Sequence, residues 1–272
     1  MKTRIIAAVV LIPVLLVLVL FASKMFSAVI FAVLMSVGAY ELLYRTHLVE
    51  NARLVLYSAV MAFAVIMWSY AGAAQAYMLL GLMVFSFLLF AEMMANHVKV
   101  RIEMLGLCYV AGVIVPFLLG ALIRILGMTA IGRYVILIPF VVAFMSDGGA
   151  YFVGMKFGRH KLAPVVSPNK TIEGALGGVA AAIVGMIIYT LVLDLAFPQF
   201  QVDYGMAVVY GLTGSIVGVF GDLCFSIIKR QTGIKDYGNL IPGHGGVLDR
   251  FDSMMMVAPL VEALLLMAPV VK

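Results

Sequence analysis

From residue 5 to residue 271 the chain is a succession of apolar runs of about 20 residues separated by short polar interruptions. A run of that length crosses ~30 Å of hydrocarbon as a helix, so lipid is the solvent for most of this protein. No soluble core hides so much apolar surface: 65% of the 272 residues are hydrophobic and 11% are charged. The expected fold class is an all-α polytopic membrane protein, a bundle of about nine transmembrane helices. Spans are placed near 5–22, 26–44, 54–73, 76–91, 104–123, 134–153, 172–197, 205–228 and 254–271, the fourth being short and the weakest.

The start, Met1-Lys2-Thr3-Arg4 and an apolar run to Ala22, has the outline of a secretory leader. Apolar segments follow it at once, and it is read as an uncleaved first span. Cys108 and Cys224 lie in apolar stretches without metal-ligand spacing, as small buried hydrophobes do.

Lysine and arginine are retained on the cytoplasmic side of a membrane, which gives an independent check on the spans. With the N-terminus in the cytosol, 14 of the 18 basic residues fall in cytosolic loops, leaving Lys24, Arg124, Arg133 and Lys272 outside. A wrong span count scrambles that alternation. The net charge of +5 thus faces anionic headgroups and anionic nucleotides. Nucleic acid is excluded as a partner, because no soluble basic domain exists to hold it.

The first five spans contain almost nothing that does chemistry. From Asp147 to Asp252 glycine clusters, intramembrane acids and two polar cytosolic segments appear. The chain is therefore divided by function into a scaffold, 1–146, and a catalytic region, 147–272. Without a Pro/Ser-rich linker or a repeat between them, both belong to one integrated bundle.

Asp222 lies several residues inside a span, where an unpaired charge costs at least ~2.5 kcal/mol, so it requires a partner. On a helix Asp222, Ser226 and Lys229 share one face. Asp249 and Asp252 share a face too if the ninth span has begun there. Oxygen ligands without cysteine or paired histidine suit Mg²⁺ or a similar cation rather than zinc. The alternative is an interfacial salt-bridge cluster of these acids with Lys229, Arg230, Lys235 and Arg250. Gly243, Gly245 and Gly246 around His244 give a backbone that approaches a ligand closely and turns N–H groups toward an anion, with His244 either a phosphate donor or structural.

A second polar segment, Ser167-Pro168-Asn169-Lys170-Thr171-Ile172-Glu173-Gly174, opens the seventh span. Thr171 or Asn169 suits the helix cap, Glu173 its first turn, and Lys170 stands beside the positive dipole end, an arrangement that attracts phosphate unless it is a plain capped helix. Asp147 ends another span beside Gly148 and Gly149. Gly211, Gly214, Gly218 and Gly221 bring helices close together before Asp222. No Ser-His-acid order, nucleotide-binding glycine strand or paired-His motif is present. A phosphate nucleophile needs no activated serine, only charge neutralisation and alignment.

The run Ser226-x-x-Lys229-Arg230-x4-Lys235-Asp236-x-Gly238-x3-Pro242-Gly243-His244-Gly245-Gly246-x2-Asp249-Arg250-x-Asp252 resembles the signature of phosphatidate cytidylyltransferases, the CDP-diacylglycerol synthases. Residues 167–174 and 147–154 resemble that family's other characteristic stretches, while the N-terminal spans agree only in being hydrophobic. One departure is Phe225, where the family commonly has Glu. The resemblance implies a nine-span homodimer in a bacterial inner membrane that joins CTP to phosphatidic acid at a cytosolic site, with Mg²⁺ and often a monovalent cation such as K⁺. It implies Asp222 and Asp249 as metal ligands, with Asp147 and Asp252 as further candidates. It makes Lys170, Lys229, Arg230 and His244 catalytic alongside those acids. Ser167, Asn169, Thr171, Ser226, Lys235, Asp236, Gly245, Gly246 and Arg250 are the expected substrate contacts.

Two rivals differ in what they yield. A membrane-embedded CTP-dependent lipid kinase releases CDP instead of pyrophosphate. A cation or lipid transporter uses the same acids as ion sites, but does not call for polar loops around a Gly-His-Gly-Gly turn.

Overall fold

A computed structural model describes residues 19–72, 75–128, 131–239 and 245–271. The chain is an all-α polytopic membrane protein: among the described residues seven helices are long and apolar enough to cross a membrane. They are α1 (Lys24–Arg45), α2 (Ala52–Ala71), α3 (Gln75–Ala95), α4 (Ile102–Ile125), α5 (Gly132–Phe157), α6 (Ile172–Ala196) and α7 (Tyr204–Gln231). A four-residue helix, α8 (Leu248–Phe251), precedes a shorter apolar one, α9 (Met254–Met267). Seven of the nine expected spans thus have a helix of crossing length, the ninth is met by the shorter α9, and the first, 5–22, lies almost wholly outside the described residues. The fourth span is corrected: it is not short, since α3 runs for 21 residues.

The chain divides into two compact units, one made of 1–133 and 229–251, the other of 134–228 and 252–272. The polar segment 229–251 therefore packs with the N-terminal helices, although it is distant from them in sequence.

In the first unit, α1 begins at Ser23, whose hydroxyl accepts the Phe26 N–H, and packs along α2, to which Ser36 donates a hydrogen bond at Ala59 O, 2.8 Å. Asn51 caps α2, accepting from Arg53 N at 2.9 Å. Gly72 ends that helix in the left-handed region, φ 56°, where a side chain is strained. Two π-helical turns occur: Glu41–Arg45 ends α1, and Val110–Ile114 interrupts α4. Hydropathy does not register such turns, which insert one residue without changing the apolar run.

In the second unit, α5 and α6 pack through glycine along their whole contact. A Cβ at Gly149 would strike Ala181, one at Gly177 would strike Val153, and one at Gly178 would lie 2.7 Å from Ser146 O. Backbone thus meets backbone, which is how small residues bring membrane helices together. Between these helices an antiparallel hairpin, β1 (Lys161–Ala163) and β2 (Ser167–Thr171), replaces the expected loop, pairing Lys161 with Thr171 and Ala163 with Ser167.

Candidate active site

Strand β2 feeds directly into α6, and Thr171 closes the junction, its hydroxyl accepting from Gly174 N at 3.1 Å. Of the two candidate caps, Thr171 is therefore the one used, while Asn169 sits exposed in β2. Glu173 in the first helical turn reaches back: its carboxylate accepts from Arg159 N at 3.1 Å and His160 N at 3.2 Å, and meets His160 Nδ1 at 2.6 Å. The hairpin is thereby tied at its base, and Lys170, one residue before the cap, is held on a fixed frame.

The Lys170 ammonium pairs with the Asp222 carboxylate of α7. Asp222 Oδ1 also accepts from Ser226 Oγ, one turn further along the helix, at 3.2 Å. This is the partner an acid inside a span requires. Both side chains remain accessible, 27% for Lys170 and 23% for Asp222. An ammonium carries three donors and a carboxylate about four lone pairs, so each has capacity beyond its partner.

The first unit holds a second lysine–aspartate pair. Lys229 Nζ donates to Asp249 Oδ1 at 2.8 Å, with side-chain exposures of only 11% and 3%. Asp249 Oδ2 accepts two backbone N–H groups, Tyr237 at 2.7 Å and Gly246 at 2.9 Å, and the Tyr237 ring lies 5.5 Å from the ammonium. Gly245 adopts φ 82° and passes so near that a Cβ would lie 2.7 Å from Asp249 Oδ2. From Gly246 onward the segment does aim N–H groups at acidic side chains, and the acids it meets here belong to the protein.

The next two N–H groups of the turn go to a residue absent from the expected set. Glu41, 3% exposed in α1, accepts from Val247 N and Leu248 N, each at 3.0 Å. Glu41 carries the same signal as Asp222, an acid inside an apolar span, but its partners lie more than 200 residues away and leave no local pattern.

Arg230, Lys235, Asp236 and Arg250 are exposed, Ser167 is half-buried, and Asp147 faces outward from α5. His244 lies outside the described residues, as do Pro242 and Gly243. Helix α8 stops at Phe251, and Asp252 forms the turn into α9, accepting from Ser253 N at 2.8 Å. The conditional expectation of a shared Asp249/Asp252 helical face is thus not met. Phe225, in place of a glutamate, is buried.

A hard cation needs oxygen ligands with free lone pairs. Asp222 offers them. Asp249 has both oxygens engaged by three protein donors and is nearly inaccessible. Among the described residues no group of three His, Cys, Asp or Glu gathers to hold a metal. That suits Mg²⁺ only in the mode it commonly uses, one or two carboxylates completed by water and substrate phosphates.

Residues 2–268 match the model of the cytidylyltransferase family. The phosphatidate cytidylyltransferase of Staphylococcus haemolyticus (strain JCSC1435) is 44% identical over 135 residues, and that of Staphylococcus aureus (strain COL) 46% over 139. Each alignment covers 50% of this chain and 50% of the relative, so the match spans about half the length of either protein.

Proposed function

The chain belongs to the cytidylyltransferase family, and from that premise we propose that it transfers the cytidylyl group of CTP to phosphatidic acid, releasing pyrophosphate and leaving CDP-diacylglycerol in the membrane. The observation that carries this reading is the accessible Lys170–Asp222–Ser226 cluster, where the hairpin meets an apolar helix. Such a place is within reach of a lipid headgroup and of a water-soluble nucleotide together.

A phosphate oxygen of phosphatidic acid attacks the α-phosphorus of CTP. A phosphorus–oxygen bond forms there, and the bond to the β-phosphate oxygen breaks with departure of pyrophosphate. The nucleophile carries its own charge near neutral pH, which is why no serine or thiol is needed. Lys170 exchanges part of its contact with Asp222 for a substrate phosphate, neutralising charge as it shifts toward the leaving group. Ser226 keeps Asp222 oriented meanwhile. Mg²⁺, when bound at Asp222, supplies further charge neutralisation on the phosphates. By the family resemblance the Lys229–Asp249 pair also serves the reaction, held in place by the backbone N–H groups of Tyr237 and Gly246. The basic loops favour a cytosol-facing site in a bacterial inner membrane, and the family resemblance favours a homodimer.

Purified protein in mixed micelles with CTP, phosphatidic acid and Mg²⁺ should release one pyrophosphate per CDP-diacylglycerol, and chelation of Mg²⁺ should stop it. Release of CDP without pyrophosphate would make the protein a lipid kinase. Neither product, with cation flux in proteoliposomes, would make it a transporter.

A further inference from the structure

Glu41 is an acid buried in an apolar helix, and its two carboxyl oxygens each accept a peptide N–H of a turn that the chain reaches more than 200 residues later. It sits at the first residue of the π-helical turn Glu41–Arg45. Such turns are extra-residue bulges that persist where something gains from their placement. On the facing side, a Cβ at Gly246 would lie 2.6 Å from Glu41 Cδ, and one at Gly238 would lie 3.0 Å from it. Two glycines of the polar segment are therefore glycines because a carboxylate fills the space a side chain would take. Three successive N–H groups follow one another into protein anions: Gly246 to Asp249, then Val247 and Leu248 to Glu41. The position of Asp249, and with it Lys229, is thus set by a backbone that Glu41 grips from the other side.

We infer that Glu41 is a positioning residue for the reaction: its carboxyl group is an internal double acceptor that fixes residues 245–248 and, through them, the Lys229–Asp249 pair. This rests on the proposed cytidylyl transfer for its catalytic consequence, but not for its structural one. A purely structural carboxylate would change stability alone; a positioning residue changes turnover at nearly constant stability and substrate affinity.

Glu41→Gln keeps size but replaces one acceptor by an NH₂ donor, so one of the two N–H groups faces a donor. Glu41→Asp keeps both acceptors on a side chain one methylene shorter. Gly246→Ala presses on Glu41 from the turn without altering the acid. In the full chain in detergent, backbone exchange in a peptide covering 245–250 should quicken about ten-fold in Glu41→Gln and Gly246→Ala, with the thermal midpoint nearly unchanged. The kcat for pyrophosphate release should fall about 10- to 100-fold, KM for CTP should shift less than about three-fold, and Glu41→Asp should recover part of the loss. Unchanged exchange at 245–250 in both variants would overturn the inference, as would quickened exchange with unchanged kcat. If the unmodified protein releases no pyrophosphate, the proposed reaction fails, while the exchange result still decides whether Glu41 holds the turn.

Discussion

The described residues contain two lysine–aspartate pairs of the same chemistry and opposite construction. Lys229–Asp249 is nearly sealed, and three protein donors converge on its carboxylate. Lys170–Asp222 is about one-quarter exposed and shares only a serine hydroxyl. A buried pair whose valences are filled by its own protein has nothing left to offer a substrate, and removing one partner strands a charge in a dry place. An open pair contributes little to stability but exchanges partners readily. The difference separates a pair that fixes its own segment from a pair with valence to spare.

Asp249→Asn should have the largest effect and strike both properties at once. Pyrophosphate release should drop about 10³-fold or more, and the loss of a buried partner, about 3–5 kcal/mol, should lower the thermal midpoint by about 10 °C. Lost activity at an unchanged midpoint would make this pair chemical rather than architectural.

Lys170→Met should lower kcat about 10²-fold while the midpoint moves by less than about 2 °C, because an accessible ion pair adds little to the fold. Lys170→Arg keeps the charge without the compact point donor and should recover only part of the rate. Steady-state kinetics with calorimetry of the same preparations checks both. A midpoint shift as large as that of Asp249→Asn would erase the distinction between the pairs.

Ser226→Ala sharpens the comparison at its finest grain. Removing the hydroxyl that orients Asp222 should reduce kcat about five-fold, with no change in midpoint. An equal rate would leave Lys170 alone responsible for the orientation of Asp222.

The helices were legible because lipid imposes length and polarity on every residue of a span, as α1, α6 and α7 illustrate to within a few positions. Thr171 was legible as one of two possible caps, since capping is a local bond between neighbours in sequence. The hairpin 161–171 was not, because Pro164 and Pro168 suggest a loop and its pairing is closed by Glu173 from the following helix. Nor was the grip of Glu41 on the glycine-rich turn. Nothing near Glu41 in sequence betrays its partners, and nothing near Gly246 betrays the carboxylate that excludes a side chain there.

The glycine contact between α5 and α6 bears on how the two-tailed lipid of the proposed reaction would reach its site. Helices whose backbones touch, with Gly149 against Ala181 and Gly177 against Val153, leave no slot wide enough for an acyl chain. Parting them would break close packing along most of both helices, a far greater barrier than the diffusion of lipid within a leaflet. For the proposed reaction that seam is a closed wall to lipid substrate and product alike, and the tails would pass along some other face of the unit.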